Sequence, residues 1–572
     1  MSSALIIGNE SLTIQCAESL VLRGHSIAAM VTRNPEVRAW AQARGLRVEA
    51  QGAGLAERLG ALRVDWLLSI ANLNVIPDAV LALAGAAVNF HDGPLPRYAG
   101  LNAPVWAILN GETQHGITWH RMVAGVDEGA ILEQRLFDIT PADTALTLNT
   151  KCFEAAIDSF SAVLTALETG AAGLPQDLSL RSEFHRADRP AAAARLDFTQ
   201  TASKVLALVR ALDHGDYLNP LACPKVEVAG RVLVVSAAEI AQGTGQPGEV
   251  LAANEAGLTV ACALGAVHLS GLRDMRGAAV CPKSLGVTHL ESPGVAADAI
   301  TAAIASVSGQ EGALRRKLAA LTPLDLPLAT AENGALDWQS VALPQPLSLF
   351  ALALGAAKAQ GLSAADFAYV TDGQSRYLSG WMPLTLNAFG TVAQAQADFA
   401  PELDAARNAF GFAVDLPLRD PALRGLKTPA IALSLAAALP GAALTLTPDA
   451  LLFDAARIDP EQAAAFAARL VVLAQALATA VPEGLCADLP ILPEAERDLI
   501  LTQWNATATE YDRSLTIPQA FEAQVTRTPD AVAVVFEGTN LTYAQLNARA
   551  NRAAHVLAEM GVAPGTLVGL CT

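Results

Sequence analysis

The chain has little of what would place it in several common classes. Its 572 residues hold seven cysteines, an odd and scattered set with no Cys-x-x-Cys pair. That matches neither a disulfide framework nor a zinc knuckle, so most of these thiols are expected to be buried and free. Basic runs are missing as well: 38 Lys and Arg stand against 56 Asp and Glu, a formal charge of −18. No cluster offers the cations that the phosphates of a nucleic acid require. Charged residues make up only 16% of the chain and apolar ones 52%, which argues against disorder and leaves material for several cores. The start, MSSALIIGNESLTIQ, lacks the basic segment of a secretory leader. The two longest uncharged runs, 377–397 and 428–448, are each broken by a proline and a glycine, so a membrane span is not expected. These absences point to a cytoplasmic globular protein without nucleic-acid or membrane partners. At about 100–200 residues per domain, its length implies roughly three to five domains.

What is present has a rhythm. Between residues 4 and 150, short apolar runs (ALIIGN, SIAAMVT, DWLLSI, AAVNF) alternate with helical periods, the signature of an α/β fold with a parallel sheet and crossover helices. The first turn, IIGNESLT, holds one glycine, too few for a dinucleotide pyrophosphate loop. Beyond about residue 185 the pattern becomes short alternating strands with glycine turns, as in GEVLAANEAGLTVACALGAVHLSGL, which predicts a small β-barrel or sandwich. An Ala-rich helical stretch from Ala299 to Leu321 reads as a connector, and 340–500 as a mixed α/β region.

Within the first region, AAVNFHDGPLPRYAGLNAP ends an apolar strand on polar residues. Asn89 and His91, two apart, share one face of that strand, while Val88 and Phe90 turn to the other. Ligands of open α/β sheets sit at the carboxyl ends of strands, so the polar end marks a candidate site. Asp92 is open between a loop cap and a carboxylate that meets an ammonium. Trp119 and His120 are open between pocket wall and core.

Two stretches now carry a family likeness. VNFHDGPLPRYAGLNAP followed by HGITWHRMVAGVDEGAIL resembles the 10-formyltetrahydrofolate-dependent formyltransferases, whose pattern is Asn-x-His, Leu-Pro-x-Tyr-x-Gly and then Asp-x-Gly. The corresponding residues here are Asn89, His91, Leu95, Pro96, Tyr98, Gly100, Asp127 and Gly129. The resemblance implies a Rossmann-like catalytic domain over 1–185 and an OB-like β-rich domain over 186–297. It implies 10-formyltetrahydrofolate as formyl donor, held by Leu95, Pro96, Gly125, Val126 and Gly129. Asn89 and His91 would act on the oxyanion, and Asp127 would hold the His91 ring, fix its tautomer and help it accept the amine proton. Both His91 and Asp127 are expected to reach solvent. One departure stands out: Gly93 and Pro94 replace the Ser-Leu common in this loop.

The C-terminal end, from ADLPILPEAERDLILTQWNATATEYD to LTYAQLNARANRAAHVL, resembles the junction between a condensation and an adenylation domain of a nonribosomal peptide synthetase. LTLTPDALLFDAARIDPEQAAAFAARLVVLAQAL is similar to the last strand and helix of a condensation domain. However, no two of the nine histidines are adjacent, so the family's His-His-x-x-x-Asp-Gly site is missing. The expected division is therefore a linker over 298–339, a structural condensation-like half over 340–500 and an adenylation start over 501–572, in a piece of a longer synthetase. ATP and phosphopantetheine would belong only to domains further downstream. The implied partners are those downstream domains and a carrier-bound aminoacyl group whose amine is formylated. Two alternatives use the same residues: a formyltetrahydrofolate hydrolase with water as acceptor, and an idle formyltransferase-like scaffold.

Overall fold

The computed structural model describes residues 1–326, 328, 336–371 and 375–571. It divides into two units, Met1–Ile491 and Leu492–Thr572.

The first unit opens with β1 (Ser3–Gly8), α1 (Ser11–Leu22), β2 (Ser26–Val31), α2 (Pro35–Ala43), β3 (Val48–Glu49), α3 (Leu55–Leu59) and β4 (Val64–Ile70). There follow α4 (Asp78–Leu81), β5 (Ala84–His91), β6 (Ala99–Gly100), α5 (Ala103–Leu109), β7 (Gln114–Arg121), β8 (Ile131–Asp138) and α6 (Ala145–Glu168). Local chemistry sets these boundaries. Asn34 caps α2 by accepting the Glu36 and Val37 amides, with Pro35 at the first turn, and α1 buries Leu12, Cys16 and Leu20 on one face.

The sheet runs β3-β2-β1-β4-β5-β7-β8. Its first five strands are parallel and are covered on both faces. Ala4 and Ile6 of β1 enter one core with Val88 and Phe90, while Leu5 and Ile7 enter the other with Val31 and Leu67. The last two strands are antiparallel. Because β7 runs backwards, it brings its own residues alongside the end of β5.

The strand-rich domain that follows comprises a two-stranded and a four-stranded antiparallel sheet. They share one core with helix Ala202–Ala211 through Val205 and Val209. The stretch expected to be a linker contains helices Ala297–Ser308 and Glu311–Ala319. Ile300 and Ile304 pack beside Val232 and Tyr377, and Leu314 and Leu318 beside Trp381 and Phe412, so these two helices are packed into cores.

The third region is a six-stranded mixed sheet over 338–454. Its helix Pro460–Thr479 is long and apolar enough to cross a membrane, yet Phe466, Ala467, Leu470 and Leu473 are packed in this region's core. An open hollow of about 320 Å³ lies here, lined by Leu347, Phe350, Phe399, Leu403 and Arg407 among others.

The second unit contains helices Ile517–Arg527 and Tyr543–Glu559 and the hairpin Val532–Phe536/Thr539–Thr542. Both helices start on capping boxes, Thr516 with Gln519 and Thr542 with Gln545. The Leu541-Thr542-Tyr543 motif is thus a strand-to-helix turn.

Candidate active site

Val88 and Phe90 of β5 lie in the core with Trp119, and Asn89 and His91 share the opposite face. β7 places His120 across from Asn89 and Thr118 across from His91. Trp119, between them, points inward and its indole N–H donates to Ser159 Oγ at 3.0 Å. The same alternation delivers His120 to the site. The two residues left open by the sequence therefore take different sides.

The loop after β5 is tied to its neighbours. Thr118 Oγ1 donates to the Gly93 carbonyl at 2.8 Å and accepts the Leu95 amide at 3.1 Å. Gln134 Nε2 donates to the Leu95 carbonyl at 2.9 Å. His91 Nε2 lies 2.7 Å from the Tyr98 carbonyl. A carbonyl can only accept, so the ring proton sits on Nε2 and Nδ1 keeps its lone pair. Tyr98 adopts φ 60°, a left-handed conformation that costs energy in a residue with a Cβ. It is held there by stacking on Phe184 and by its hydroxyl, which donates to Glu112.

Gly93 makes this contact possible. A Cβ at that position would stand 2.7 Å from His91 Nε2 and 2.9 Å from the Tyr98 carbonyl. Gly93→Ala is expected to lower turnover by on the order of a hundredfold, the scale of a 1 Å misplacement, with little change in melting temperature. Steady-state kinetics beside a melting curve test this, and unchanged turnover would show that the Tyr98 carbonyl does not set the base.

Asp127 has φ 55°, which turns its carboxylate back into the site. Oδ2 accepts the Gly100 amide at 2.9 Å, and Oδ1 lies 3.2 Å from His120 Nε2. Gln176 straps the loop by donating to the carbonyls of Asp127 and Gly129 at 2.8 and 2.7 Å. A Cβ at Gly129 would stand 1.7 Å from the Arg121 carbonyl, so only glycine fits. Burial pushes the Asp127 carboxyl up, but the His91 ring, the His120 hydrogen bond and the Gly100 amide outweigh it. The group is held well below the usual carboxylate range.

His120 links the two sides. Its Nδ1–H donates to the Arg121 carbonyl at 2.9 Å, and its Nε2 is 3.2 Å from the Asn89 amide nitrogen. The same Nε2 lies 3.2 Å from Asp127 Oδ1, so the ring stands between Asn89 and the carboxylate.

Asn89, His91 and Asp127 are thus brought together, with two changes to their expected roles. Asp127 Oδ2 is 3.6 Å from His91 Nδ1, beyond hydrogen-bond reach, so the His91 tautomer is set by the Tyr98 carbonyl and not by the carboxylate. His91 and Asp127 are 4% and 9% exposed rather than solvent-reaching, because the Gly100–Asp127 hydrogen bond joins the two loops at the strand end. Of the residues expected to hold a donor, Leu95 is buried and its amide is engaged by Thr118. Pro96 follows it through a cis peptide bond. Gly125 is partly exposed, and Val126 offers an exposed apolar side chain. Gly129 shapes the loop. Thr118 and Gln176 carried no signal in the sequence, whereas His120 was open there between pocket wall and core. The hollow in the third region shares no residue with this site.

With this geometry in view, the chain can be set beside known proteins. Residues 24–164 match the family Formyl transferase, 190–286 the family Formyl transferase, C-terminal domain, and 521–572 the family AMP-binding enzyme. One of the linear gramicidin synthase subunits of Brevibacillus parabrevis is 55% identical over 84 residues, 15% of this chain and 2% of that protein. A second is 42% identical over 119 residues, 21% of this chain and again 2% of that protein. The chain thus spans only about 2% of the length of either synthase protein. An N-formyltransferase from Helicobacter canadensis overlays with a TM-score of 0.40 at 16% identity, covering 48% of this chain and 100% of that one. Methionyl-tRNA formyltransferase of Pseudomonas syringae pv. syringae is 33% identical over 217 residues, 38% of this chain and 67% of that protein. With that relative covered over two thirds of its length and both formyltransferase regions matched in order, the chain belongs to the formyl transferase family.

Proposed function

We propose that the end of β5 transfers a formyl group from 10-formyltetrahydrofolate to the amino group of an aminoacyl unit held on a carrier domain of a nonribosomal peptide synthetase. The observation that carries this reading is the free Nδ1 of His91. Its tautomer is set by the Tyr98 carbonyl, and an ionised Asp127 stands 3.6 Å away. That arrangement suits a base that must take a proton from an amine and be stabilised as an imidazolium once it has done so. Among the described residues, the amide nitrogen of Asn89 has no partner besides His120, which leaves a second N–H for oxygen as it gains charge on the formyl carbon. Leu95, Pro96, Gly125, Val126 and Gly129 form or shape the walls that would hold the donor.

The carrier as acceptor is supported by the AMP-binding match at 521–572 and by the likeness to the gramicidin synthase proteins. A charge of −18 without a basic cluster disfavours a charged tRNA. The cytoplasm is the compartment this reading implies. ATP and phosphopantetheine would serve further domains of the synthetase. Residues 340–500 act as scaffold: none of the nine histidines falls between His289 and His555, so no basic histidine is there to serve condensation.

Incubation with labelled 10-formyltetrahydrofolate, aminoacyl carrier and aminoacyl-tRNA tests the proposal. Label is expected on the carrier's aminoacyl group. Label on tRNA would replace the acceptor, free formate with neither labelled would make the protein a hydrolase, and no turnover would leave a scaffold.

A further inference from the structure

Asp92 occupies a position that neither the catalytic trio nor the loop's shape explains. Its Oδ1 is 3.8 Å from His91 Nδ1, on the ring atom that Asp127 Oδ2 approaches to 3.6 Å. The base therefore looks out between two carboxylates. The Asp92 backbone is clamped: its carbonyl accepts from His115 Nε2 at 2.9 Å and from the Cys152 thiol at 3.9 Å. His115 is fully buried, and burial pushes its pKa down to about 4, so it is neutral at pH 7 and serves as a fixed donor. The Asp92 side chain is 30% exposed against 9% for Asp127, so of the two carboxylates it has the more open path to water. Unlike Asp127, it accepts no hydrogen bond from another residue's amide among the described residues.

We propose that Asp92 is a second catalytic carboxylate, which receives the acceptor's ammonium group beside His91 Nδ1 and then takes from the attacking nitrogen the proton that the donor does not need. This inference rests on the formyl-transfer reading above.

Proton balance gives such a group a task. An aminoacyl amine is R–NH₃⁺ at neutral pH, and the product R–NH–CHO keeps one of its three hydrogens. Two protons must leave the nitrogen, whereas the departing N10 of the folate takes only one. His91 Nδ1 takes the first, which frees the nitrogen lone pair to form the new N–C bond while the carbonyl pair moves onto oxygen near Asn89. The nitrogen now carries two hydrogens and a positive charge, and Asp92 removes one. The carbonyl reforms, the C–N10 bond breaks with its pair going to N10, and the His91 Nδ1 proton follows it there. Asp92 then gives its proton to water.

Asp127 cannot take Asp92's part, since its oxygens are engaged by Gly100 and His120 and it is held ionised. The charged and titratable groups facing Asp92 are His91, Asp127, His115 and Cys152. Burial pushes the Asp92 carboxyl above its ordinary range; the His91 ring offsets part of this and the Asp127 charge adds to it. The two carboxylates are thus driven apart, one kept as an anion and the other able to pick up and release a proton.

The test uses the whole chain with Asp92→Asn and Asp92→Glu, aminoacyl thioesters of N-acetylcysteamine as probes, and kcat/KM measured against pH. Asp92→Asn is expected to lower kcat/KM by about a hundredfold, the lower range for general acid–base groups. It should also make the acid-side limb shallower, because one of the two groups that must be unprotonated is gone. Donor affinity and melting temperature should not change, and Asp92→Glu should recover part of the loss. Asp92→Asn within threefold of an active wild type, with the limb intact, overturns the role of Asp92 alone. A wild type that formylates no amine overturns the formyl-transfer reading and this inference with it.

Discussion

Replacing His91 with asparagine is expected to lower formyl transfer by between about a hundredfold and ten-thousandfold. The loss follows from one ring atom. Nδ1 carries the only imidazole lone pair aimed between Asp92 and Asp127, because Nε2 is committed to the Tyr98 carbonyl. Asp127→Asn should cost a similar amount by another route. The amide oxygen can still accept from Gly100, so the loop stays closed, but the negative charge that stabilises a protonated His91 is gone. Asp127→Asn is close to isosteric, whereas His91→Asn also gives up the Nε2–Tyr98 hydrogen bond, which matters because both side chains are buried. Turnover and thermal melting measured together separate chemistry from folding. Activity within a factor of about ten of wild type, below the usual contribution of such groups, would remove these residues from the reaction.

The largest effect on stability is expected far from that site, in a buried ion network. Lys225 Nζ lies 2.5 Å from Asp415 Oδ2. Arg419 donates to Asp415 at 3.2 Å and holds Glu311 through two hydrogen bonds of 2.9 and 2.6 Å. Arg189 reaches Glu311 at 3.3 Å. These residues come from the strand-rich domain and its approach, the connecting helices and the third region, and Lys225, Asp415 and Arg419 are at most 3% exposed. Arg419→Met would take from Asp415 and Glu311 the partner they share, leaving each with one cation, Lys225 and Arg189, and removing one partner of a buried pair typically costs about 3–5 kcal/mol. A combined Lys225→Met/Asp415→Leu change should cost much less than the sum of its parts. Denaturant unfolding of the wild type, Lys225→Met, Asp415→Leu and the double variant decides between a coupled network and independent pairs, additivity being the result that would count against coupling.

The network also predicts a pH dependence. Burial pushes the Asp415 carboxyl up, but Lys225 and Arg419 outweigh it and hold it well below its ordinary value of 3.8. Its contribution is therefore present above about pH 4 and is lost as the pH falls below that.

The chain's order of parts was legible in its residues. The apolar alternation of 4–150 dictates a sheet covered on both faces, and strand periodicity alone puts Asn89 and His91 on the face opposite Val88 and Phe90. The spacing from Asn89 to Gly129 suffices for the family likeness. The missing paired histidines are what make 340–500 an expected scaffold.

Periodicity, however, says which way a side chain points and not what it meets. His120 entered the site because β7 runs antiparallel to β5, a register set by the packing of the whole sheet. The His91 tautomer was decided by a carbonyl seven residues on, in a left-handed Tyr98 that Gly93 alone leaves room for. The union of formyltransferase and third region rests on partners about 190 residues apart in the chain. No local pattern encodes such a pair, because burial makes each charge depend on a partner that only the folded chain supplies.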